Sequence, residues 1–568
     1  KKYFFTLADN LVSKLPGAPN IYDISSTKLY YDKFAITPES FSFIECNCDQ
    51  IEKIINSFNI TKAAGIDNLN CRFIKDGAKI LSDTLKQICN LSMSLSCFPK
   101  DFKVAKLKPL FKKGSSTEPK NYRPISLLPI ISKILEKVVH EQTQNFLREN
   151  KLIYELQSGF RRHHSTNFCL SFLTDKILTG FDCGLLTGMV LIDLQKAFDT
   201  INHAFLLNKM ELMGFSKQTV KWFRSYLSER TFNVSIEKSF SSAGNLNCGV
   251  PQGSISGPLL FLLYINDLKQ ASESLLLLYA DDSCIIYQSK DVKEIEDNLN
   301  KDFERICNWF IDNKLSIHLG EDKTKCILFT PRYRKNVAKG LDISYKETKI
   351  KQYSNVSYLG CILDEAMTGE GMAMYVLKKI NSKLKFLYRN KSYLSQSLRR
   401  MLCNAIIQPH FDYACAGWYP NLSEKLKNKL QVAQNKCIRF CLQKHSRSHI
   451  AYQDFVSMNW LPVAGRAKQM ILCNVFNFFQ NKCPSFIKEI FIPVEHHSMN
   501  TRSSYQKLVQ PKRKTNAGLN SLSYAGPSYW NKLPARLKDP ATLNSFKQSV
   551  KKLFFEKMEI GQANLLIY

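Results

Sequence analysis

Two adjacent aspartates interrupt an apolar stretch near the middle of the chain. An apolar run at 275–278 precedes Tyr279-Ala280-Asp281-Asp282, and a second apolar run follows at 285–287. Neighbouring carboxylates in apolar surroundings repel each other and lose hydration, which is costly unless a cation compensates them. The pattern therefore predicts a strand–turn–strand hairpin that presents Asp281 and Asp282 to a divalent metal ion.

A third carboxylate follows a separate apolar segment. Met189-Val190-Leu191-Ile192 predicts a short buried strand, and Asp193 ends it. Joining two nucleotides in line takes two Mg²⁺ ions roughly 4 Å apart, and Mg²⁺ binds few protein ligands, mostly carboxylates. Asp193, Asp281 and Asp282 therefore make the smallest catalytic set of metal ligands for that chemistry, with Mn²⁺ as a substitute ion. For Asp193 alone, an ordinary turn residue remains an open alternative.

The composition bounds the class of protein. The chain has 568 residues, of which 44% are hydrophobic, and it carries a formal net charge of +30. It is therefore expected to be globular, with roughly three or four domains, and to bind a polyanion such as nucleic acid. The 18 cysteines lack the spacing of a disulfide framework, so we expect free thiols in a reducing, intracellular compartment. No run of about 20 apolar residues occurs, so no membrane span is expected.

The positive charge is concentrated in one segment. Residues 376–447 contain 15 lysines and arginines, opposed within the segment by Asp412 and Glu424. Leu, Ile and Phe recur there at helical spacing, which predicts a helical module whose basic face follows a duplex backbone. A solvated basic face without a partner is the alternative. A second basic block, Lys512-Arg513-Lys514, predicts an RNA contact or a nuclear import signal, and a plain surface loop is equally compatible with it.

A set of short motifs surrounds these carboxylates along the chain. In chain order they are Gly65-Ile66-Asp67, Asn121-Tyr122-Arg123-Pro124-Ile125-Ser126-Leu127, Gln157-Ser158-Gly159-Phe160-Arg161, Asp193 to Asp199, Gly249-Val250-Pro251-Gln252-Gly253-Ser254, Tyr279 to Asp282, Lys323-Thr324, Tyr358-Leu359-Gly360, Gln408-Pro409-His410-Phe411-Asp412-Tyr413 and Trp530-Asn531-Lys532-Leu533-Pro534. The whole set in this order resembles the reverse transcriptase of a non-LTR (LINE-type) retrotransposon of the jockey, CR1 and L2 group.

This resemblance implies an RNA-directed DNA polymerase that copies its element's RNA into DNA by target-primed reverse transcription. Its partners would be the RNA template, the DNA primer at a nicked target and the dNTPs, with no membrane. An endonuclease often precedes the polymerase in such elements, and nothing at 1–100 resembles one. We therefore expect an upstream portion that is missing from this chain, which begins at Lys1. The expected location is the nucleus and the cytoplasm, as a ribonucleoprotein.

The implied fold is α+β. It is a right-hand polymerase with fingers, a palm with an antiparallel sheet, a helical thumb, and helical extensions at both ends. The predicted segments are an N-terminal extension at 1–100, fingers at 101–185, the palm or reverse transcriptase core at 186–365, the thumb at 366–450 and a basic C-terminal region at 451–568. Helices are predicted at 205–230, between the first two palm strands, with Trp222 and Phe223 as core anchors.

The resemblance also implies roles for residues around the nucleotide. Arg123 would hold the incoming triphosphate through its bidentate guanidinium, with Lys112 as a weaker phosphate ligand. Phe198 would pack against the sugar and exclude a 2′-hydroxyl, although a phenylalanine there is also compatible with a core position. Gln252 and Gly253 would lie close to the nascent base pair, where glycine permits close approach of the backbone. A plain turn is the alternative for that pair.

Two later motifs have implied roles at the leaving group and at the primer. Lys323 would act as the general acid that protonates the departing pyrophosphate. Lys325 competes for this role, and a solvated lysine is the alternative for either residue. Tyr358-Leu359-Gly360 would form a turn that grips the primer strand.

Other classes of protein share parts of this pattern. A host-adopted, non-catalytic RNA-binding protein that retains the fold would bind template without Mg²⁺-dependent extension. A viral RNA-dependent RNA polymerase shares the palm, but usually carries Gly-Asp-Asp in the hairpin and lacks a bulky residue at position 198. A group II intron enzyme is a nearer relative, disfavoured by the segment 112–126 and by Trp530-Asn531. The intact carboxylates favour an active polymerase.

Overall fold

The N-terminal part of the chain is mainly helical. The computed structural model describes residues 3–4, 11, 25–32, 41–237, 239–320, 322–334, 340–494 and 506–559. The elements up to residue 160 are α1 (Ser25–Asp32), α2 (Cys48–Ser57), α3 (Cys71–Asp76), α4 (Ala78–Ser94), β1 (Val104–Phe111), β2 (Tyr122–Leu127) and α5 (Ile130–Glu149). The predicted helical extension at 1–100 falls partly on 5–10, 12–24 and 33–40, which lie outside the described residues.

Strands and helices alternate in the middle of the chain. The elements are α6 (Thr166–Asp182), β3 (Leu186–Ile192), α7 (His203–Leu212), α8 (Lys217–Leu227), β4 (Arg230–Ile236), β5 (Ser239–Phe240), β6 (Gly244–Leu246), α9 (Gly257–Ile265), β7 (Leu275–Tyr279), β8 (Asp282–Ser289), α10 (Val292–Asp312), β9 (Lys325–Phe329), β10 (Ile343–Tyr345), β11 (Thr348–Ile350), β12 (Asn355–Tyr358) and β13 (Cys361–Asp364). The predicted strand–turn–strand around the paired aspartates is therefore present as β7, a short turn and β8.

The described C-terminal part of the chain is helical. Its helices are α11 (Glu370–Arg389), α12 (Gln396–Ile406), α13 (Gln408–Asp412), α14 (Cys415–Trp418), α15 (Glu424–Leu442), α16 (Tyr452–Met458), α17 (Val463–Phe479), α18 (Ser485–Lys488), α19 (Asn516–Leu519), α20 (Leu522–Asn531) and α21 (Leu543–Glu559). Parts of the predicted region 451–568, at 495–505 and 560–568, lie outside the described residues.

The chain folds as two compact units, each built from several chain segments. The first unit comprises 1–160, 192–283 and 301–320, and the second comprises 161–191, 284–300 and 321–568. Both units contain parts of the predicted fingers and of the predicted palm. The division into five segments therefore stays a prediction from the sequence.

A mixed sheet forms part of the first unit, with strand order β2-β1-β4-β5 and with β6 paired to β4. Strands β1 and β2 are antiparallel, so that Leu110 pairs with Arg123, whereas β1 and β4 run parallel. The sheet buries Leu107 and Phe232 in a small apolar cluster, which fixes its register. Strand β2 thereby holds Arg123 at a defined position.

Helices α7 and α8 supply an aromatic core to the first unit. They lie where the sequence predicted helices at 205–230, and Trp222 and Phe223 are both buried, as predicted. The Trp222 ring stacks on Tyr226 with a centroid distance of 5.7 Å, and its indole N–H donates a 3.0 Å hydrogen bond to Ser92. Because its polar edge is satisfied, the indole is buried at little cost.

The second unit combines strands with packed helices. Three strands lie in the order β8-β3-β9, and β3 pairs with β9 in antiparallel register. Every residue of β3 is buried, as expected for a continuous apolar strand. In the C-terminal helices, Phe476 stacks on Phe546 at 4.5 Å and Phe479 on Trp530 at 5.1 Å. No helix in the described part of the chain has the length and apolar character needed to cross a membrane.

Candidate active site

The acidic centre lies in the first unit. Asp193 directly follows β3, and its carbonyl accepts a 2.9 Å hydrogen bond from the N–H of His318. Between β7 and β8, Ala280 takes a left-handed conformation with φ of 57°, and Asp281 follows it. Burial, and then the negative charge of Asp193, raise the pKa of the Asp281 carboxyl. The structure therefore brings Asp193 and Asp281 into electrostatic contact across a long stretch of sequence.

The turn that carries Asp281 is clamped by an upstream segment. The Gln157 side-chain oxygen accepts hydrogen bonds from the N–H of Gly159 at 2.8 Å and from the N–H of Ala280 at 3.0 Å. The N–H of Ser158 donates to the carbonyl of Leu278 at 2.8 Å. A Cβ atom at Gly159 would lie 2.4 Å from the Ala280 nitrogen, so glycine is required for this approach. The segment 157–161 was included among the family motifs in the sequence analysis but was given no role there.

Two cations act on the same carboxyl. Lys112 and Arg123 lower the pKa of Asp281, opposing the effects of burial and of Asp193. Both side chains are exposed, and the N–H of Lys112 donates a 2.8 Å hydrogen bond to the carbonyl of Asn121, which fixes the turn between β1 and β2. Exposed cations facing a carboxylate pair suit a polyphosphate bound together with a metal ion.

The donor set at this centre fits a hard divalent cation. Within the described residues, no group of three or more His, Cys, Asp or Glu side chains is arranged to hold a metal ion. Mg²⁺ does not need such a cage, since it binds through one or two carboxylates and completes its shell with water and substrate phosphates. Asp193 and Asp281 supply two such carboxylates. Asp282 is exposed at the start of β8, and its role as a third ligand stays a prediction.

Phe198 is held by other aromatic rings. It lies in a short helical turn after Lys196, which has φ of 50°. Its ring stacks on Phe261 at 4.8 Å and meets the edge of Phe160 at 6.1 Å. The side chain is only half-buried, so part of the ring packs against protein and part of it is exposed. Both alternatives drawn from the sequence, a core residue and a sugar contact, are compatible with this position.

The loop containing Gln252 and Gly253 is docked rather than free. The Gln252 side-chain N–H donates a 2.7 Å hydrogen bond to Asp199, and its carbonyl accepts one of 2.7 Å from the N–H of Ser126 in β2. Gly253 has φ of 124°, and a Cβ atom there would lie 2.5 Å from the Ser126 carbonyl oxygen. This loop is therefore more than an isolated turn, because hydrogen bonds join it both to β2 and to the segment after Asp193. Its contact with a base pair stays a prediction.

Two carboxyls, to which the sequence analysis gave no role, position this loop: the part-buried Asp199 and the buried Glu136. Burial raises the pKa of Asp199 to about 6, against the opposing hydrogen bond from Gln252. Glu136, fully buried on α5, accepts hydrogen bonds from the N–H groups of Ile255 at 2.7 Å and Ser256 at 3.3 Å. Burial raises the pKa of Glu136. An isolated glutamate within an apolar helical pattern was the signal that could have identified it.

Lys323 belongs to the second unit, on the turn before β9. Its proposed proton transfer stays a prediction. The competing Lys325 has its ammonium 4.8 Å from the centroid of the Tyr353 ring, a cation–π contact that gives this residue a structural role.

The predicted primer-grip turn is present as a tight hairpin in the second unit. Strands β12 and β13 are joined by Leu359 and Gly360, with φ of 46° and 78°, as a two-residue turn requires. The Tyr413 hydroxyl donates a hydrogen bond to the Leu359 carbonyl. Tyr358 is buried, with its hydroxyl 3.7 Å from the sulfur of Cys169. The turn geometry is confirmed, and contact with a primer stays a prediction.

Comparison with known proteins shows which polymerases this chain is similar to. Residues 110–363 match the family model for reverse transcriptase (RNA-dependent DNA polymerase), a family that uses divalent metal ions and has the right-hand polymerase fold. The chain therefore contains a reverse transcriptase domain. Its relatives include the RNA-directed DNA polymerase of mobile element jockey and a Pol polyprotein of a retrotransposable element R1, which confirms the resemblance found in the sequence.

Three relatives illustrate this similarity. The probable RNA-directed DNA polymerase from transposon X-element of Drosophila melanogaster is 28% identical over 406 residues, covering 69% of this chain and 43% of the relative. The RNA-directed DNA polymerase from mobile element jockey of the same organism is 26% identical with the same coverage. The Pol polyprotein from retrotransposable element R1 2 of Nasonia vitripennis is 31% identical over 228 residues, covering 38% of this chain and 54% of the relative. This chain thus spans less than half the length of the first two relatives.

Proposed function

We propose that this chain is the RNA-directed DNA polymerase of a non-LTR retrotransposon, which copies element RNA into DNA by target-primed reverse transcription. The RNA is the template, the 3′-hydroxyl of a nicked DNA strand is the primer, and dNTPs are the substrates. One observation carries the proposal: the charge of Asp193 raises the pKa of the Asp281 carboxyl, and the charges of Lys112 and Arg123 lower it. Such a site can hold a metal-bound triphosphate.

The charged residues divide the work of phosphoryl transfer. Asp193, Asp281 and Asp282 would hold two Mg²⁺ ions, for which Mn²⁺ could substitute. When bound, such ions lower the pKa of a 3′-hydroxyl and offset the charge of the triphosphate. Arg123 binds phosphate oxygens through its guanidinium, and Lys112 adds a second positive charge. Lys323 donates its ammonium proton to the leaving pyrophosphate oxygen.

Other residues select and orient the substrates. Phe198 presents its exposed ring edge to the sugar and excludes a 2′-hydroxyl by steric contact. Gln252 and Gly253 place backbone beside the nascent base pair. The turn at 358–360 holds the primer strand near its 3′ end. Each role is supported by a side chain or a turn that the surrounding protein fixes in place.

The proposed division of the chain follows the right-hand polymerase pattern. It consists of an N-terminal extension (1–100), fingers (101–185), palm (186–365), thumb (366–450) and a basic C-terminal region (451–568). Target priming needs a nicked strand, so the proposal includes an endonuclease partner, which the resemblance places upstream of the polymerase. The ribonucleoprotein would assemble in the cytoplasm and act in the nucleus.

Primer extension tests this function directly. The wild-type chain should extend a DNA primer on an RNA template with dNTPs and Mg²⁺. Asp193→Asn and Asp281→Asn should each lower the rate by about a thousandfold, because several kcal/mol of metal-dependent stabilisation is lost. Asp297→Asn, on the exposed face of α10, is the matched control and should leave the rate unchanged.

Two outcomes would contradict the proposal. Full extension by either aspartate variant would remove the metal assignment. RNA binding by the wild-type chain without any Mg²⁺-dependent extension would instead support the non-catalytic RNA-binding protein that retains the fold.

A further inference from the structure

A polar cavity of the second unit is lined by none of the residues given a role above. It has a volume of about 320 Å³, and its polar lining includes Arg400, Asn404, Asp412, Asn459, Arg466 and Lys551. These residues come from α12, α13, the end of α16, α17 and α21. Since one water occupies about 30 Å³ of liquid, the space holds roughly ten waters, or one phosphate group with its sugar.

The carboxylate in this cavity is already paired. The Arg466 guanidinium donates two hydrogen bonds, of 2.7 and 2.8 Å, to the two oxygens of Asp412. This bidentate geometry is the strongest form of an arginine–carboxylate pair. Both Asp412 oxygens are therefore occupied by Arg466, although the Asp412 charge still raises the pKa of Lys551.

The two remaining cations bind neutral acceptors. The Lys551 ammonium donates to the carbonyl and to the side-chain oxygen of Asn459, at 3.0 and 3.2 Å. Arg400 donates to the carbonyl of Ser457 at 3.2 Å. Within the described residues neither cation forms an ion pair, so the cavity keeps an excess of positive charge. Burial and then the charge of Arg466 lower the pKa of Lys551, Asp412 opposes them, and Arg400 lowers the pKa further. A bound anion would relieve the repulsion among these three cations.

The surroundings indicate which kind of anion binds there. The adjoining helices at 376–447 carry 15 basic residues against two acidic ones, and the whole chain has a net charge of +30. Arg400 and Asn404 lie four residues apart on α12 and so project from the same helix face toward the cavity. An extended polyanion is therefore favoured over a compact metabolite.

We propose that this cavity binds a backbone phosphate of a single-stranded nucleic acid, with Arg400 and Lys551 as its phosphate ligands. The identity of the strand, as template or displaced DNA, rests on the proposed function. Binding of the phosphate itself does not. The site would give the C-terminal helices a direct part in holding the strand.

Salt-dependent binding of a fluorescent 20-nucleotide RNA to the full chain tests the proposal. Each phosphate contact on a single strand contributes about 0.7 to the slope of log Kd against log salt. Arg400→Gln combined with Lys551→Gln should lower this slope by about 0.7 to 1.4 and weaken binding roughly tenfold at 150 mM salt. Lys79→Gln combined with Lys552→Gln removes the same charge from exposed positions and is the matched control.

A purely structural role for Lys551 predicts a different result. The lysine joins α21 to Asn459, so its loss could lower Tm without changing the salt slope. A lower Tm with an unchanged slope would overturn the proposal, whereas Lys551→Arg should preserve the slope. If the double variant fails to fold, Arg400→Gln alone, at an exposed position, should give about half of the change in slope.

Two further measurements separate the sources of phosphate and the two proposals. Inorganic phosphate at 10 mM that raises the Tm of the wild type but not of the double variant, with no change in RNA slope, would indicate a free-phosphate site and refute strand binding. The Asp193→Asn protein should bind RNA with the wild-type slope. A protein without extension activity can thus still support the cavity proposal. An active polymerase whose salt slope is unchanged in the double variant would refute the cavity proposal alone.

Discussion

The side-chain oxygen of Gln157 accepts a 3.0 Å hydrogen bond from the backbone N–H of Ala280, the residue just before Asp281. The same oxygen also accepts from Gly159. A neutral side chain thus sets the position of a carboxylate that lies more than 120 residues later in the chain. Gln157 acts on the site through the backbone, which makes it a positioning residue.

We expect Gln157→Ala to lower extension activity roughly tenfold or more and stability by about 2 kcal/mol. The substitution leaves two buried N–H groups without their acceptor and releases the turn that carries Asp281. Gln142→Ala is the matched control, since Gln142 also accepts from one backbone N–H and donates to the carbonyl of the same residue, Ile44. Rates from primer extension and unfolding by urea give the two readouts. Equal activity loss in both variants would refute the positioning role.

Replacement of Phe198 by alanine should admit ribonucleotides. The ring is fixed by its stacking on Phe261, so its removal opens space beside the sugar without moving the partner. We expect the ratio of rNTP to dNTP incorporation to rise roughly tenfold to a hundredfold, while Phe198→Tyr keeps the ring and the selection. Single-nucleotide incorporation measures this ratio. Unchanged sugar selection in the alanine variant would leave Phe198 as a packing residue only.

Substitution of Gly253 by alanine should damage the loop through a steric clash. Its new Cβ atom would lie 2.5 Å from the Ser126 carbonyl oxygen, in addition to the strain of a φ of 124°. We expect a loss of roughly 2 kcal/mol in stability and a higher KM for dNTPs. Gly184→Ala is the control, because Gly184 has φ of 72° with nothing within 4 Å of its Cβ position. That variant should lose only about 1 kcal/mol, and its KM should not change.

Asp199 should make stability depend on pH in a direction opposite to that of a salt-bridged carboxylate. Its pKa is raised from 3.8 to about 6, so the folded protein holds the proton more tightly than the unfolded chain. The free energy of unfolding therefore falls as the pH rises through this interval. Asp199→Asn keeps an acceptor for Gln252 and removes the charge.

The measurement compares the two proteins at several pH values. Between pH 4 and pH 7.5, the stability of Asp199→Asn relative to the wild type should increase by about 2 kcal/mol, a figure discounted for partial exposure. Urea denaturation of the free protein provides these values. A difference that stays constant with pH, or that decreases, would show that Asp199 is not held protonated by burial.

Local patterns in the sequence predicted the elements that depend on neighbouring residues. The strand before Asp193 and the turn between β7 and β8 follow from apolar runs and turn residues within ten positions, whereas the turn at 358–360 was predicted through the resemblance. The three aspartates could be grouped from the chemistry of a magnesium site, but the roles of Arg123, Phe198, Gln252 and Lys323 came only through the resemblance, because tertiary packing brings such distant residues together. Contacts such as Glu136 with the Ile255 N–H join elements far apart in sequence, and no local pattern specifies the partner of a buried carboxyl.

Asp412 and Tyr413 are consecutive residues with different attachments. The carboxylate of Asp412 is bound by Arg466 at the polar cavity, and the hydroxyl of Tyr413 holds the carbonyl of Leu359 at the hairpin turn. A single peptide unit therefore connects the Arg466–Asp412 ion pair to the hydrogen bond that Tyr413 makes with the turn. Loss of the Arg466–Asp412 ion pair should therefore also disturb the turn at Leu359, since one peptide unit separates the two contacts.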